Sequence, residues 1–157
     1  MELTHLDDAG RPRMVDVGEK PETARTATAE GAIRMSPEAF RLVADQALAK
    51  GDALRVAEIA GTMAAKRTAE LIPLCHPLGL DHIDVQAVLD DALPGVRVRG
   101  VVGSVGRTGV EMEALTAVSV ALLTVYDMVK SADRGMEIES VRLLQKSGGT
   151  RGDWRRA

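Results

Sequence analysis

The chain has 157 residues, 45% hydrophobic but only 2% aromatic, with 20 basic residues against 23 acidic ones for a net charge of −3. That length gives one domain with room for a real core, while the charge balance argues against a nucleic-acid coat and the scarcity of rings removes the stacking platforms of single-strand binders. One cysteine, Cys75, excludes an internal disulfide framework and suits a reducing compartment.

Residues 1–13 are polar, lack the apolar core of a signal peptide and are expected to be loose. Met14-Val15-Asp16-Val17 alternates briefly. From Thr23 to Met35 small and β-branched residues alternate with charged ones, which predicts a strand of low propensity. Ser36-Pro37-Glu38 is a helix start: an N-cap hydroxyl, proline at the first helical position and an acid in the first turn. Phe40, Val43, Ala44, Ala47 and Leu48 would form its buried face. Lys50-Gly51-Asp52 then ends that helix and caps the next. The second helix is expected to run to about Leu71, with Val56, Ile59, Ala60, Met63 and Ala64 inward, and Pro73 stops it.

Ile83, Val85, Ala87 and Leu89 alternate, as do Val96 and Val98 against Arg97 and Arg99. They predict two strands joined as a hairpin through Asp90–Gly95. In Gly109–Lys130 the residues Leu115, Val118, Leu122, Val125 and Val129 recur at helical spacing, and no Gly or Pro interrupts positions 110–134. One buried helix from about Glu113 to Ser131 follows. Met136–Lys146 reads as a last strand, and the tail after Ser147 as loose, 150–157 included. No apolar run reaches about 18 residues without polar interruption, so no membrane span is expected. The resulting order, β-α-α-β-β-α-β, is the split βαβ pattern with one extra helix. That predicts an α+β, ferredoxin-like antiparallel sheet with helices packed on one face, in a single soluble cytoplasmic domain over 1–157.

Several groups carry possible chemistry. Pro73 and Pro77 bracket Leu74-Cys75-His76 and would fix the direction of the histidine, the side chain best suited to proton transfer near neutral pH; the competing reading is a loop histidine bonded to a carbonyl. Cys75 and His76 are adjacent and have no partner at metal-ligand spacing, so no metal site is expected. Glu111 and Glu113 are two apart, on one side of a strand-like entry to the helix, where paired carboxylates suit acid and base roles; the alternative is acids favoured by the helix dipole. Asp127 and Lys130 are spaced as a same-face ion pair, most often a surface salt bridge. A rise of 1.5 Å per residue sets Glu113 and Asp127 roughly 21 Å apart, so both ends of the helix serve one pocket only if a second chain supplies one of them. Lys146-Ser147-Gly148-Gly149 after a strand lets backbone amides approach an anion, and Lys66-Arg67 is a weak basic pair. Gly106-Arg107-Thr108 fails as a Walker A loop, which needs Gly where Val101 stands and Lys where Arg107 stands. Together these groups suit an anionic substrate and several proton transfers.

The strings LIPLCHPL (71–78), TGVEMEALTAVSVALLTVYDM (108–128) and VRLLQKSGG (141–149), with MVDV (14–17), KGD (50–52) and IAGTMAAKRT (59–68), resemble the MoaC family, the cyclic pyranopterin monophosphate synthases of molybdenum-cofactor biosynthesis. The resemblance runs in order from about Leu3 to Gly152. It implies conversion of a 3′,8-cyclo-7,8-dihydroguanosine 5′-triphosphate to cyclic pyranopterin monophosphate with release of diphosphate. It also implies a hexamer built as a trimer of dimers, with active sites between subunits. Carried over by position, Asp127 matches the catalytic acid/base, with Lys130 and Lys50 as its catalytic companions. Leu74, Cys75, His76, Glu111, Met112 and Glu113 match substrate-contacting segments, and Lys66, Arg25 and Lys146 match positions of the pocket and triphosphate. Thr150-Arg151 stands where family tails often continue with another lysine. Mg²⁺ on the triphosphate fits this chemistry, but nothing looks like a protein cage for it; no tightly bound cofactor, nucleic acid or membrane is expected. The alternative from another class is a non-catalytic ferredoxin-like module that binds a purine nucleotide or serves assembly.

Overall fold

β1 (Thr23–Arg34) is the middle of the sheet in the computed structural model, which describes residues 5–157. It pairs antiparallel with β3 (Gly95–Gly106) along its whole length, from Thr23↔Gly106 to Arg34↔Gly95. On its other side it pairs antiparallel with β4 (Glu137–Ser147). β2 (His82–Asp90) flanks β3, and β5 (Trp154–Arg155) flanks β4, giving the order β2-β3-β1-β4-β5. The first four strands, linked by two helical crossovers, are the expected ferredoxin-like arrangement.

The weak strand propensity of β1 has a packing cause. A Cβ on its Gly31 would meet Leu122 Cδ1 at 2.8 Å, and one on Gly100 of β3 would meet Val118 Cγ2 at 3.2 Å. Small residues therefore let the long helix α4 (Glu111–Val129) lie close on the sheet. Ala114, Ala117, Val118, Ala121, Leu122 and Val125 of α4 are fully buried there. By length and mean hydropathy alone α4 is apolar enough to cross a membrane, although polar residues interrupt its run as expected. In the folded chain more than half of it is inside the core.

α1 (Pro37–Ala44) starts as predicted, with Ser36 Oγ accepting the Ala39 N–H at 3.2 Å. It stops four residues short of Leu48, because Gln46 adopts a left-handed φ of 52° and turns the chain. Ala44 and Ala47 are consequently exposed, while Val43 is buried and Phe40 half-buried. Asp52 caps α2 (Ala53–Lys66), accepting from the amides of Leu54 and Arg55.

The inward face of α2 is turned from the expected one. Ala64 is buried as expected and Ala60 half-buried, but Val56, Ile59 and Met63 are exposed, Ile59 at 61%, and Ala53, Ala57, Gly61 and Ala65 are buried in their place. α2 approaches α4 too closely for large side chains: a Cβ on Gly61 would stand 2.8 Å from the Ala117 carbonyl oxygen. The helix also breaks at Arg67, leaving α3 (Thr68–Leu71) as a separate turn.

Residues 14–17 form no strand. Of the segments read as loose, Leu6 pairs with Pro12 in an isolated bridge and Trp154 pairs with Lys146. Residues 1–4 lie outside the described residues.

Candidate active site

A cavity of about 350 Å³ opens at the N-terminal end of α4. Three stretches distant in sequence converge on it. Leu74, Cys75, His76 and Leu78 come from the segment between α3 and β2. Glu111, Met112 and Glu113 come from the first turn of α4, and Lys146, Gly148, Gly149, Thr150 and Arg151 from the end of β4 and the tail. Arg25 of β1 joins them, with Arg107 and Thr108 from the turn after β3 and His5, Val15, Val17 and Lys20 from the N-terminal segment.

The polar side chains are fixed in ways that decide what each can do. Arg25 is 8% exposed. Its Nε donates to the Gly106 carbonyl at 2.8 Å and its Nη2 to the Arg107 carbonyl at 3.1 Å. No carboxylate of the described residues pairs with it, so a buried cation faces the cavity with its charge unneutralised. Lys146 Nζ lies 3.6 Å from Glu111 Oε1. His76 Nε2 is 2.7 Å from the Val15 carbonyl; a carbonyl only accepts, so Nε2 carries the proton and Nδ1 is left as an acceptor in the neutral ring. This is the carbonyl-bonded histidine weighed against the catalytic one, although the ring still lines the cavity.

Glu111 is the first residue of α4, so the two glutamates belong to a helical turn and not to an extended entry. A step of two turns them about 200° apart around the helix. Glu111 is half-buried beside Lys146, while Glu113 is 4% exposed. The helix dipole favours its ionised form, yet burial prevails and pushes the Glu113 carboxyl above its ordinary value, with the charge of Glu111 adding to the rise. Burial, and then the charge of Glu113, push the Cys75 thiol up as well, so it is not a ready thiolate.

A second charged cluster lies at the far end of α4. Lys50 Nζ donates to the Asp127 carbonyl and to Asp127 Oδ2, both at 2.9 Å, and Lys130 Nζ donates to Oδ1 at 2.7 Å. The Lys130 bond, followed by that from Lys50, lowers the Asp127 carboxyl to about 2. Lys50 reaches it because the turn before α2 sits at the C-terminal end of α4. At the other end of α2, Lys66 lines a smaller cleft of about 130 Å³ that Glu113 and Leu78 share with the main cavity. The two helices therefore run antiparallel. Within one chain, Arg25, Leu74, Cys75, His76, Glu111, Met112, Glu113 and Lys146 meet in one place, Lys66 borders it, and Asp127, Lys130 and Lys50 form a separate group.

Lys20, Arg107 and His5 line the cavity without having been singled out. Arg107 had a visible signal, in the Gly106-Arg107-Thr108 triplet dismissed with the Walker A loop. Lys20 and His5 had none, since nothing in a polar N-terminus indicates that it folds back onto a site.

The MoaC family model matches residues 14–149. The chain belongs to the MoaC family. It is similar over 152 residues to the cyclic pyranopterin monophosphate synthases of Methylobacterium sp., at 62% identity, and of Brucella ovis, at 58%. The first alignment covers 97% of this chain and 95% of the relative; the second covers 97% and 92%. Of the strings that carried the resemblance in the sequence, 14–17, 71–78, 141–149 and the start of 108–128 converge on the cavity, whereas 59–68 borders it through Lys66 and 50–52 lies with Asp127 in the second cluster.

Proposed function

We propose that this chain is a cyclic pyranopterin monophosphate synthase. It converts (8S)-3′,8-cyclo-7,8-dihydroguanosine 5′-triphosphate to cyclic pyranopterin monophosphate and diphosphate, an early step of molybdenum-cofactor biosynthesis. The observation that carries this reading is one cavity holding five cationic side chains, Lys20, Arg25, Arg107, Lys146 and Arg151, against a buried carboxyl, in a chain 58–62% identical to proteins of that name.

The chemistry asks for charge at one place and proton transfer at another. To close the cyclic phosphate, a ribose-derived hydroxyl oxygen bonds to the α-phosphorus and the bridging bond to the β-phosphate breaks. The electron pair leaves on diphosphate and the hydroxyl proton passes to a base. Pre-placed cations stabilise the charge that builds on the leaving group. Among the described residues no three His, Cys, Asp or Glu side chains are grouped to hold a metal. A Mg²⁺ on the triphosphate would arrive as part of the substrate. Opening and reclosing the heterocycle needs protons delivered and removed at separate atoms. Asp127, held near 2, is a carboxylate at neutral pH; it orients Lys50 and Lys130, whose ammonium groups can supply protons.

The two centres come together between subunits, in a hexamer built as a trimer of dimers in the cytoplasm. Helix geometry supports this, since Glu113 and Asp127 of one chain are roughly 21 Å apart. So does the exposed apolar stripe Val56-Ile59-Met63 on α2, with Leu123 on α4.

Incubating the pure protein with the cyclic triphosphate should yield the cyclic product and diphosphate, and Asp127→Asn should abolish both with the oligomer intact. Binding without turnover by the unaltered protein would instead favour a nucleotide-binding module. Mixing Glu113→Gln and Asp127→Asn subunits under exchange should restore part of the activity. No recovery despite verified mixing would refute the shared site.

A further inference from the structure

Gly148 and Gly149 end the Lys146-Ser147-Gly148-Gly149 run with left-handed φ values of 85° and 83°. Each is pressed against β1, but against different things. A Cβ on Gly148 would collide with the Ala24 carbonyl, which is rigid backbone. A Cβ on Gly149 would collide with Nη1 of Arg25 and stand 3.1 Å from its Cζ and 3.4 Å from Nη2. Arg25 cannot swing away freely, because its Nε and Nη2 are already committed to the carbonyls of Gly106 and Arg107 and its side chain is buried.

We infer that Gly149 is a positioning residue: the missing side chain lets the pinned Arg25 guanidinium and the tail carrying Lys146, Thr150 and Arg151 occupy one cavity wall together. Arg25 then joins the 106–108 turn to the tail and fixes the spacing of the cations that take up the diphosphate portion of the substrate. This rests on the functional reading above for its ligand. The steric part rests on the structure alone.

The test is a double-mutant cycle with two readouts. One is the affinity for inorganic diphosphate, measured by calorimetry on the full chain. The other is acrylamide quenching of Trp154, the single tryptophan, which pairs with Lys146 in β5 and reports whether the tail is seated. Gly149→Ala should weaken diphosphate binding by at least about tenfold and increase quenching, with KM raised more than kcat falls. In an Arg25→Lys background, where the colliding nitrogen is gone, the penalty of Gly149→Ala should shrink by about fivefold. The penalty of Gly148→Ala, whose obstacle is the Ala24 carbonyl, should stay the same in both backgrounds. Equal Gly149→Ala penalties with and without Arg25, or wild-type quenching and affinity in Gly149→Ala, would overturn the inference. An unaltered protein that takes up no diphosphate would overturn the functional reading instead, and the quenching cycle would then decide the steric lock on its own.

Discussion

Asp127 and Glu113 are carboxyl groups driven in opposite directions, and the two directions make separate predictions. Asp127 has a folded value of about 2 against an ordinary 3.8. Its contribution to stability is present above 3.8 and lost as pH falls through about 2, and it contributes no titration near neutrality. Carbon-13 NMR should place the Asp127 midpoint near 2. Lys130→Ala and Lys50→Ala should each return it toward the ordinary carboxylate value, Lys130→Ala by more, since its bond is the larger cause. Glu113 behaves oppositely. Its value is raised, so the folded state keeps the proton longer than the unfolded chain, and stability declines as pH rises from about 4.5 through the raised value. Glu113→Gln keeps the shape and removes the charge. It should melt at the same or a higher temperature than the unaltered protein at pH 7, with a flatter dependence on pH, while turnover falls by at least about a hundredfold. A lower melting temperature at pH 7 would show that the ionised carboxylate is stabilised by something the folded chain supplies.

α2 shows best what a sequence reveals of an element and what it conceals. Its start was readable because Asp52 is a side-chain cap, a local interaction written in local residues. Its inward face was misread, since periodicity locates apolar stripes without saying which of two is buried. Val56-Ile59-Met63 and Ala53-Ala57-Gly61-Ala64 both recur at helical steps, and the smaller set won because α4 lies within reach of its backbone. The same proximity gives an unusual substitution effect. Gly→Ala inside a helix normally stabilises by about 1 kcal/mol. Gly61→Ala should destabilise by about 1–2 kcal/mol in urea unfolding, because the added carbon meets the Ala117 carbonyl at 2.8 Å and Val85 at 3.0 Å. α4 was predicted to within two residues of its observed bounds, and so were β1 and β4, where pattern and tertiary packing agree. The site divides likewise. Lys146, Glu113 and His76 stand in compact strings that could be noticed, whereas Lys20 and His5 reach the cavity only through a fold-back with no short-range mark.

For the whole molecule, the exposed stripe on α2 and the separation of the two charged centres make the same demand. If copies assemble through that stripe, Ile59→Asp should shift the protein to a smaller species in size-exclusion chromatography with light scattering. Its far-UV circular dichroism should stay unchanged, and turnover should fall with the mass, since the subunit that would bring Asp127 to Glu113 is lost. An unchanged mass would place the interface elsewhere.

β1, the strand on which both halves of the sheet are hung, is synthesised before either of its partners. β3 begins at Gly95 and β4 at Glu137, so during translation β1 has both edges open until β3 has been made, and one edge open until β4 follows. Closing two such distant pairings makes folding slow relative to a helical protein of the same size. The alanine- and threonine-rich composition that lets α4 and the sheet come together has a second use here. A strand whose alanines and Gly31 are weak sheet formers and which carries Arg25, Glu30 and Arg34 is a poor template for a neighbouring nascent chain, so the feature that tightens the finished core also protects the unfinished one.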